Sequence, residues 1–149
     1  MAANIPFQSL RRIPLAYASC SIGSTSSDTL PRKLEAISGA GFAAIELSFP
    51  DIIAYGSSIL GHEVAPDNYE ELKQVAAEIK KLVAANGLKV MMLQPFANFE
   101  GWAAGSIERR NAMARANGWI EIMDVVGTDL LQVFQSPHSS VFFLADANH

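Results

Sequence analysis

The sequence predicts an α/β fold of parallel strands, a partial (β/α)8 TIM barrel holding about the first four β/α units. Three observations carry that expectation. Short apolar runs alternate strictly with amphipathic helical stretches. The intervals after strands are long, roughly twenty residues after the second and about ten after the third, whereas helices return to strands through a glycine and one or two more residues. No three-glycine turn follows a strand: Cys20-Ser21-Ile22-Gly23-Ser24 offers a single glycine, which argues against a dinucleotide-binding sheet.

Residues 1–12 form an N-terminal segment, 13–135 the barrel portion and 136–149 an atypical tail to which no barrel element is assigned. Residues 13–19 are apolar, with arginine before and serine and glycine after, and predict a first strand buried on both faces. Asp28 or Thr29 is then placed to cap a helix with Pro31 in its first turn and Leu30, Leu34 and Ile37 at helical spacing, ended by Gly39 and Gly41. Residues 42–48 predict a second strand with one carboxylate near its C-terminal end. The long interval that follows is read as a loop suited to a lid, holding Tyr55 and His62.

A second helix opens with Asp67 and Glu70 in a capping pattern. Its stripe of Tyr69, Leu72, Val75, Ala76, Ile79, Leu82 and Val83 runs to Gly87. Residues 89–94 predict a third strand ended by Pro95. Ser106 opens a long helix through Ile107, Ala114, Ile120, Met123 and Val126 to Gly127, and residues 129–135 predict a fourth strand. Such alternation implies right-handed crossovers and a parallel sheet. A closed barrel needs eight such units in about 250 residues, so the chain is expected to be truncated and inactive by itself, with open sheet edges that favour self-association.

Composition narrows the function. With 50% hydrophobic residues, a net charge of -4 and its basic residues scattered, the chain has a core to bury and no stripe for tracking phosphates, so no nucleic acid is expected. No apolar run of about 18 residues exists to cross a membrane. The single cysteine, Cys20, excludes an internal disulfide and suits a reducing, cytoplasmic setting; it reads as a small buried hydrophobe at a strand end. A transit-peptide reading of the acid-free, Ser-rich first 27 residues competes poorly with the strand at 13–19.

Four places are candidates for chemistry. Glu46 ends an apolar strand, where a carboxylate needs a donor or cation, and Gln94 holds the equivalent place on the third strand. Arg109 and Arg110 open the third helix on the same face, and Arg110 is the better placed to clamp a substrate carboxylate. Phe96, Phe99 and Trp102 can wall a pocket for a cyclic ligand or plug the barrel mouth. The lone loop His62 has no metal-site spacing, and no cluster of His, Asp and Glu suffices for a divalent ion.

Several strings taken together resemble a known family. They are Cys20-Ser21-Ile22-Gly23, Gly41-Phe42-Ala43-Ala44-Ile45-Glu46-Leu47, Leu93-Gln94-Pro95-Phe96 leading to Phe99-Glu100-Gly101, Trp119-Ile120-Glu121-Ile122-Met123, and Gly127-Thr128-Asp129-Leu130-Leu131-Gln132-Val133. Over residues 13–133 the chain resembles fungal 3-dehydroshikimate dehydratases, of the sugar phosphate isomerase/epimerase, xylose isomerase-like superfamily. The resemblance implies a metal-dependent lyase of quinate and shikimate catabolism that dehydrates 3-dehydroshikimate to protocatechuate. It also implies that the metal ligands lie on later strands, so no cofactor is expected in this chain although the complete enzyme carries a divalent metal. Glu46, Gln94 and Arg110 are carried over as substrate-binding positions, with no catalytic or metal-ligating residue assigned; the partner is then a small cyclic hydroxy acid or a sugar-like compound. Two alternatives stay open: an isomerase or epimerase of sugar phosphates or hydroxypyruvate on the same barrel, and a non-catalytic fragment that self-associates.

Overall fold

The computed structural model describes residues 13–23 and 25–134; the N-terminal segment 1–12, Gln135, and the tail with His138 and His149 lie outside them. Four parallel strands form one sheet in the order β1 (Ala16–Ala18), β2 (Ala44–Ser48), β3 (Lys89–Phe96), β4 (Leu131–Val133). Sequential parallel neighbours joined by helical crossovers are the unit from which such barrels are built.

The first crossover is α1 (Leu30–Gly39), with Thr29 at its N-cap and Pro31 in its first turn. Asp28 does not cap it: its Oδ2 accepts from the backbone N–H and the hydroxyl of Thr25. The interval after β2 is not a loop from end to end. It begins with α2 (Phe49–Leu60), which follows β2 without a break and ends at the left-handed Gly61. Pro50 and Gly56 look like loop residues in sequence, yet Pro50 occupies the first turn, where its missing N–H is harmless. Gly56 faces Val75, and a Cβ there would come within 2.8 Å of that side chain, so this glycine serves packing and not a turn. Tyr55 is accordingly a half-buried helical residue packed on the core, while His62 is exposed beyond the helix end, its Nε2 3.3 Å from Glu71.

The second crossover is α3 (Tyr69–Ala85). Its cap sits one residue later than the Asp67 pattern suggests: Asn68 accepts from the Glu71 N–H, and Asp67 precedes the cap. The third is α4 (Ile107–Val126), where Ser106 caps as expected by accepting from the Arg109 N–H, and Gly127 closes the helix at φ 86°. Its buried face differs from the expected stripe: Ala112, Ala116, Trp119, Ile122, Met123 and Val126 face the core, whereas Ile107 and Ile120 are exposed.

One face of the sheet carries the core. Ile45, Leu47 and Leu93 are fully buried beneath Leu34 and Ile37 of α1, Ile52 of α2, Leu72, Val75 and Ile79 of α3, and Trp119 and Ile122 of α4. Side chains of this size each stabilise by about 1.5–3 kcal/mol when withdrawn from water. The strands are not buried on both faces as their apolarity suggests. Glu46 and Met92, which pair across β2 and β3, are only partly covered, as is all of β1. The first strand is also shorter than 13–19, with Ile13 and Leu15 exposed at 52% and 58% before it, and a 3-10 turn (Ser19–Ser21) after it. Strand β3 in turn is longer than expected, passing through Pro95 by a cis Gln94–Pro95 bond to Phe96.

Candidate functional site

The less covered face of the sheet gathers polar groups at the C-terminal ends of its strands, the end that carries the active site in barrels of this kind. Register explains the gathering. Ala18 pairs with Glu46, Glu46 with Met92, and Ser48 with Gln94, so these residues share the face opposite the core. Alternation from the core-facing Leu131 puts Gln132 of β4 on it too.

Gln94 is 5% exposed, and its Nε2 lies 3.5 Å from Glu46 Oε2 and 3.5 Å from Cys20 Sγ. The contact to the carboxylate is at the outer limit of hydrogen bonding, whereas 3.5 Å is ordinary for the larger sulfur, so the amide holds Glu46 loosely and can transfer that donor to a ligand atom at small cost. The structure thus brings Glu46 and Gln94 together. Cys20 joins them, and it is exposed, not buried as its strand-end position suggests, because the 3-10 turn swings it out of the sheet. Arg110 is not brought to this cluster: it is exposed, and its Nη1 donates to the Gly105 carbonyl at 2.6 Å.

Beside the cluster lies a polar network that sequence reasoning missed. Ser19, fully buried, donates its hydroxyl to Asp51 Oδ2 at 2.6 Å and accepts the Ser48 N–H at 3.0 Å. Asp51 Oδ1 in turn receives Lys33 Nζ at 2.8 Å, with the two side chains 13% and 11% exposed. Lys33 and Asp51 line a cleft of about 470 Å³ with Thr25, Asp28, Tyr55 and Ser58. The signal was present as Ser48-Phe49-Pro50-Asp51, a serine three residues before a carboxylate with proline between, which marks a helix start.

The donors collected at the strand ends are one carboxylate, one amide and one thiol. Among the described residues no three His, Cys, Asp or Glu side chains converge. Hard divalent cations take six or more oxygen ligands, several of them commonly carboxylates, so these residues do not by themselves fit such an ion. What they do fit is a hydroxylated ligand, with Gln94 offering N–H donors and Glu46 accepting from hydroxyls.

The match to the xylose isomerase-like TIM barrel family runs over residues 34–146. The chain belongs to that family. The match extends through residues 136–146, the stretch set apart above as an atypical tail, and omits β1. The chain is 33% identical over 107 residues to a 3-dehydroshikimate dehydratase of Pseudomonas aeruginosa, covering 72% of this chain and 14% of that protein. It is 31% identical over the same length to one of Pseudomonas putida. A protein of the same name from Neurospora crassa is 29% identical over 122 residues, covering 80% of this chain and 34% of its own length. A solved structure described as a xylose isomerase-like TIM barrel/4-hydroxyphenylpyruvate dioxygenase fusion protein superposes with a TM-score of 0.59 at 26% identity, over 81% of this chain and 16% of that one. The chain therefore spans a small share of the Pseudomonas relatives and about a third of the Neurospora one.

Among the described residues no helix is long and apolar enough to cross a membrane.

Proposed function

We propose that this chain supplies the substrate-holding side of a 3-dehydroshikimate dehydratase site, in which Gln94 and Glu46 bind hydroxyl groups of the ring. The observation that carries the reading is the pairing of these two side chains at the strand ends of a chain similar to three proteins of that name. Dehydration of 3-dehydroshikimate to protocatechuate removes a proton beside the ketone and expels a hydroxyl as water. Orienting the ring fixes which C–H and C–O bonds are aligned for that loss. Gln94 can donate to one ring hydroxyl while Glu46 accepts from another, and neither is asked to move the proton. Exposed Arg110 meets the substrate carboxylate in this reading only if its guanidinium leaves the Gly105 carbonyl.

Because no three His, Cys, Asp or Glu side chains converge among the described residues, the chain alone is expected to bind 3-dehydroshikimate without turning it over. The test is a calorimetric titration of the purified chain with 3-dehydroshikimate, alongside absorbance monitoring for protocatechuate. Gln94→Ala and Glu46→Gln should each weaken binding by about tenfold, the worth of one hydrogen bond to a charged or buried partner. Wild-type affinity in both variants, or no binding in the parent chain, would overturn the reading. Appearance of protocatechuate would overturn its non-catalytic part.

A further inference from the structure

We infer that Arg115 is a positioning residue for the candidate site, clamping the loop of residues 96–102 that leaves β3 just beyond Gln94; the inference deepens the site reading proposed above. Arg115 lies in the third turn of α4, and its Nη2 donates to two successive loop carbonyls, Ala97 at 2.5 Å and Asn98 at 2.9 Å. Its guanidinium carbon stands 4.8 Å from the centroid of the Phe96 ring. Phe96 itself meets Trp119 of the same helix edge-on at 4.9 Å. The loop is thus held to α4 at three consecutive residues.

The middle of the loop shows why holding is needed. Asn98 adopts φ 56°, a left-handed conformation that asparagine reaches more readily than most side-chain-bearing residues and that turns the chain sharply here. Its carbonyl receives two donors, Arg115 Nη2 and Trp102 Nε1, the latter at 3.2 Å. Meanwhile Arg115 Nε is buried with no partner among the described residues, so the side chain forgoes one hydrogen bond to keep its grip on the loop. The other arginines of this helix, Arg109 and Arg110, are exposed. Two donors and a ring trained on one sharp turn exceed what a mere connection requires. They are what a site wall requires, since ligand-facing loops must be rigid before the ligand arrives.

Hydrogen exchange of the full 149-residue chain, with a parallel 3-dehydroshikimate titration, tests this in Arg115→Met, Arg115→Lys and Trp102→Phe. In Arg115→Met the amides of residues 97–102 should exchange about tenfold faster while those of β2 and β3 keep their protection, and 3-dehydroshikimate affinity should fall in step. Arg115→Lys, which can still reach a carbonyl, should recover part of the protection, and Trp102→Phe should show a smaller loss than Arg115→Met. Unchanged loop exchange in Arg115→Met would overturn the inference, as would equal acceleration in loop and strands, which marks a general stability role. Should Arg115→Met fail to fold, Arg115→Lys decides, and full wild-type protection in it would count against the clamp. If the parent chain does not bind 3-dehydroshikimate, the substrate reading fails on its own while loop exchange still judges Arg115.

Discussion

Asp51 receives donors from two different elements at once, the Ser19 hydroxyl from the 3-10 turn after β1 and the Lys33 ammonium from α1, and it does so from the first turn of α2. Its charge also suits that helix end, where the backbone presents unpaired N–H groups. Such a pair is worth little on a surface, but these side chains are nearly withdrawn from water, and removing one partner strands the other. Asp51→Ala is therefore expected to cost about 3 kcal/mol in urea unfolding, against about 1 kcal/mol for Lys33→Met, which leaves Asp51 with its serine donor. A loss below about 0.5 kcal/mol for Asp51→Ala would show the pair to be energetically silent.

Helices α3 and α4 approach so closely that a Cβ on Gly118 would overlap the ring of Tyr69. Glycine inside a helix ordinarily costs about 1 kcal/mol relative to alanine, so its presence here is a concession to that ring. Overpacking costs about 1–3 kcal/mol and outweighs the propensity gain once the added group is large. Gly118→Val should accordingly lower the thermal midpoint, whereas Gly118→Val combined with Tyr69→Ala should recover part of the loss. Failure of the double variant to recover would mean the clash is not with Tyr69.

The same interface makes a pH prediction. Burial raises the Tyr69 phenol above its ordinary 10.0, with Asp67 adding to the rise and Arg115 opposing it. A group whose pKa is raised by folding contributes stability that is intact below its unfolded value and is lost as pH climbs through the folded one. Lys73, raised by its bonds to Glu70 on its own helix and Glu121 on α4, has the same sign. Stability should thus fall above about pH 10, and Tyr69→Phe should flatten that fall without changing the midpoint near neutrality. An unchanged alkaline slope in Tyr69→Phe would remove Tyr69 as its source.

At the scale of the molecule, β1 and β4 each have a single strand neighbour among the described residues, and apolar side chains stand exposed beside both. These are Ile13 and Leu15 near β1, and Leu130, Val133 and Phe134 at β4. Unpaired parallel edges flanked by apolar surface favour strand pairing between copies. The chain is expected to sediment as a dimer or larger at micromolar concentration, and Val133→Lys with Phe134→Lys to shift it toward monomer. A compact monomer in the parent chain would show that these edges are covered.

Periodicity alone determined the four strands, the three crossover helices and their parallel order, because apolar spacing reports directly which face of an element is buried. It also singled out Glu46 and Gln94, since a polar group ending an apolar strand is expensive wherever that strand lies. Tertiary structure decided the rest. Helix α2 was hidden because Pro50 and Gly56 read as loop residues locally, whereas the one sits in a helical first turn and the other packs against Val75. The outward turn of Cys20 was hidden because a three-residue 3-10 turn has no periodicity to read. Asp51 and Arg115 escaped notice for a different reason: the partners they bond lie 17 to 32 residues away in sequence. A contact of that span is created by packing the crossovers onto the sheet, and no local pattern in the chain records it.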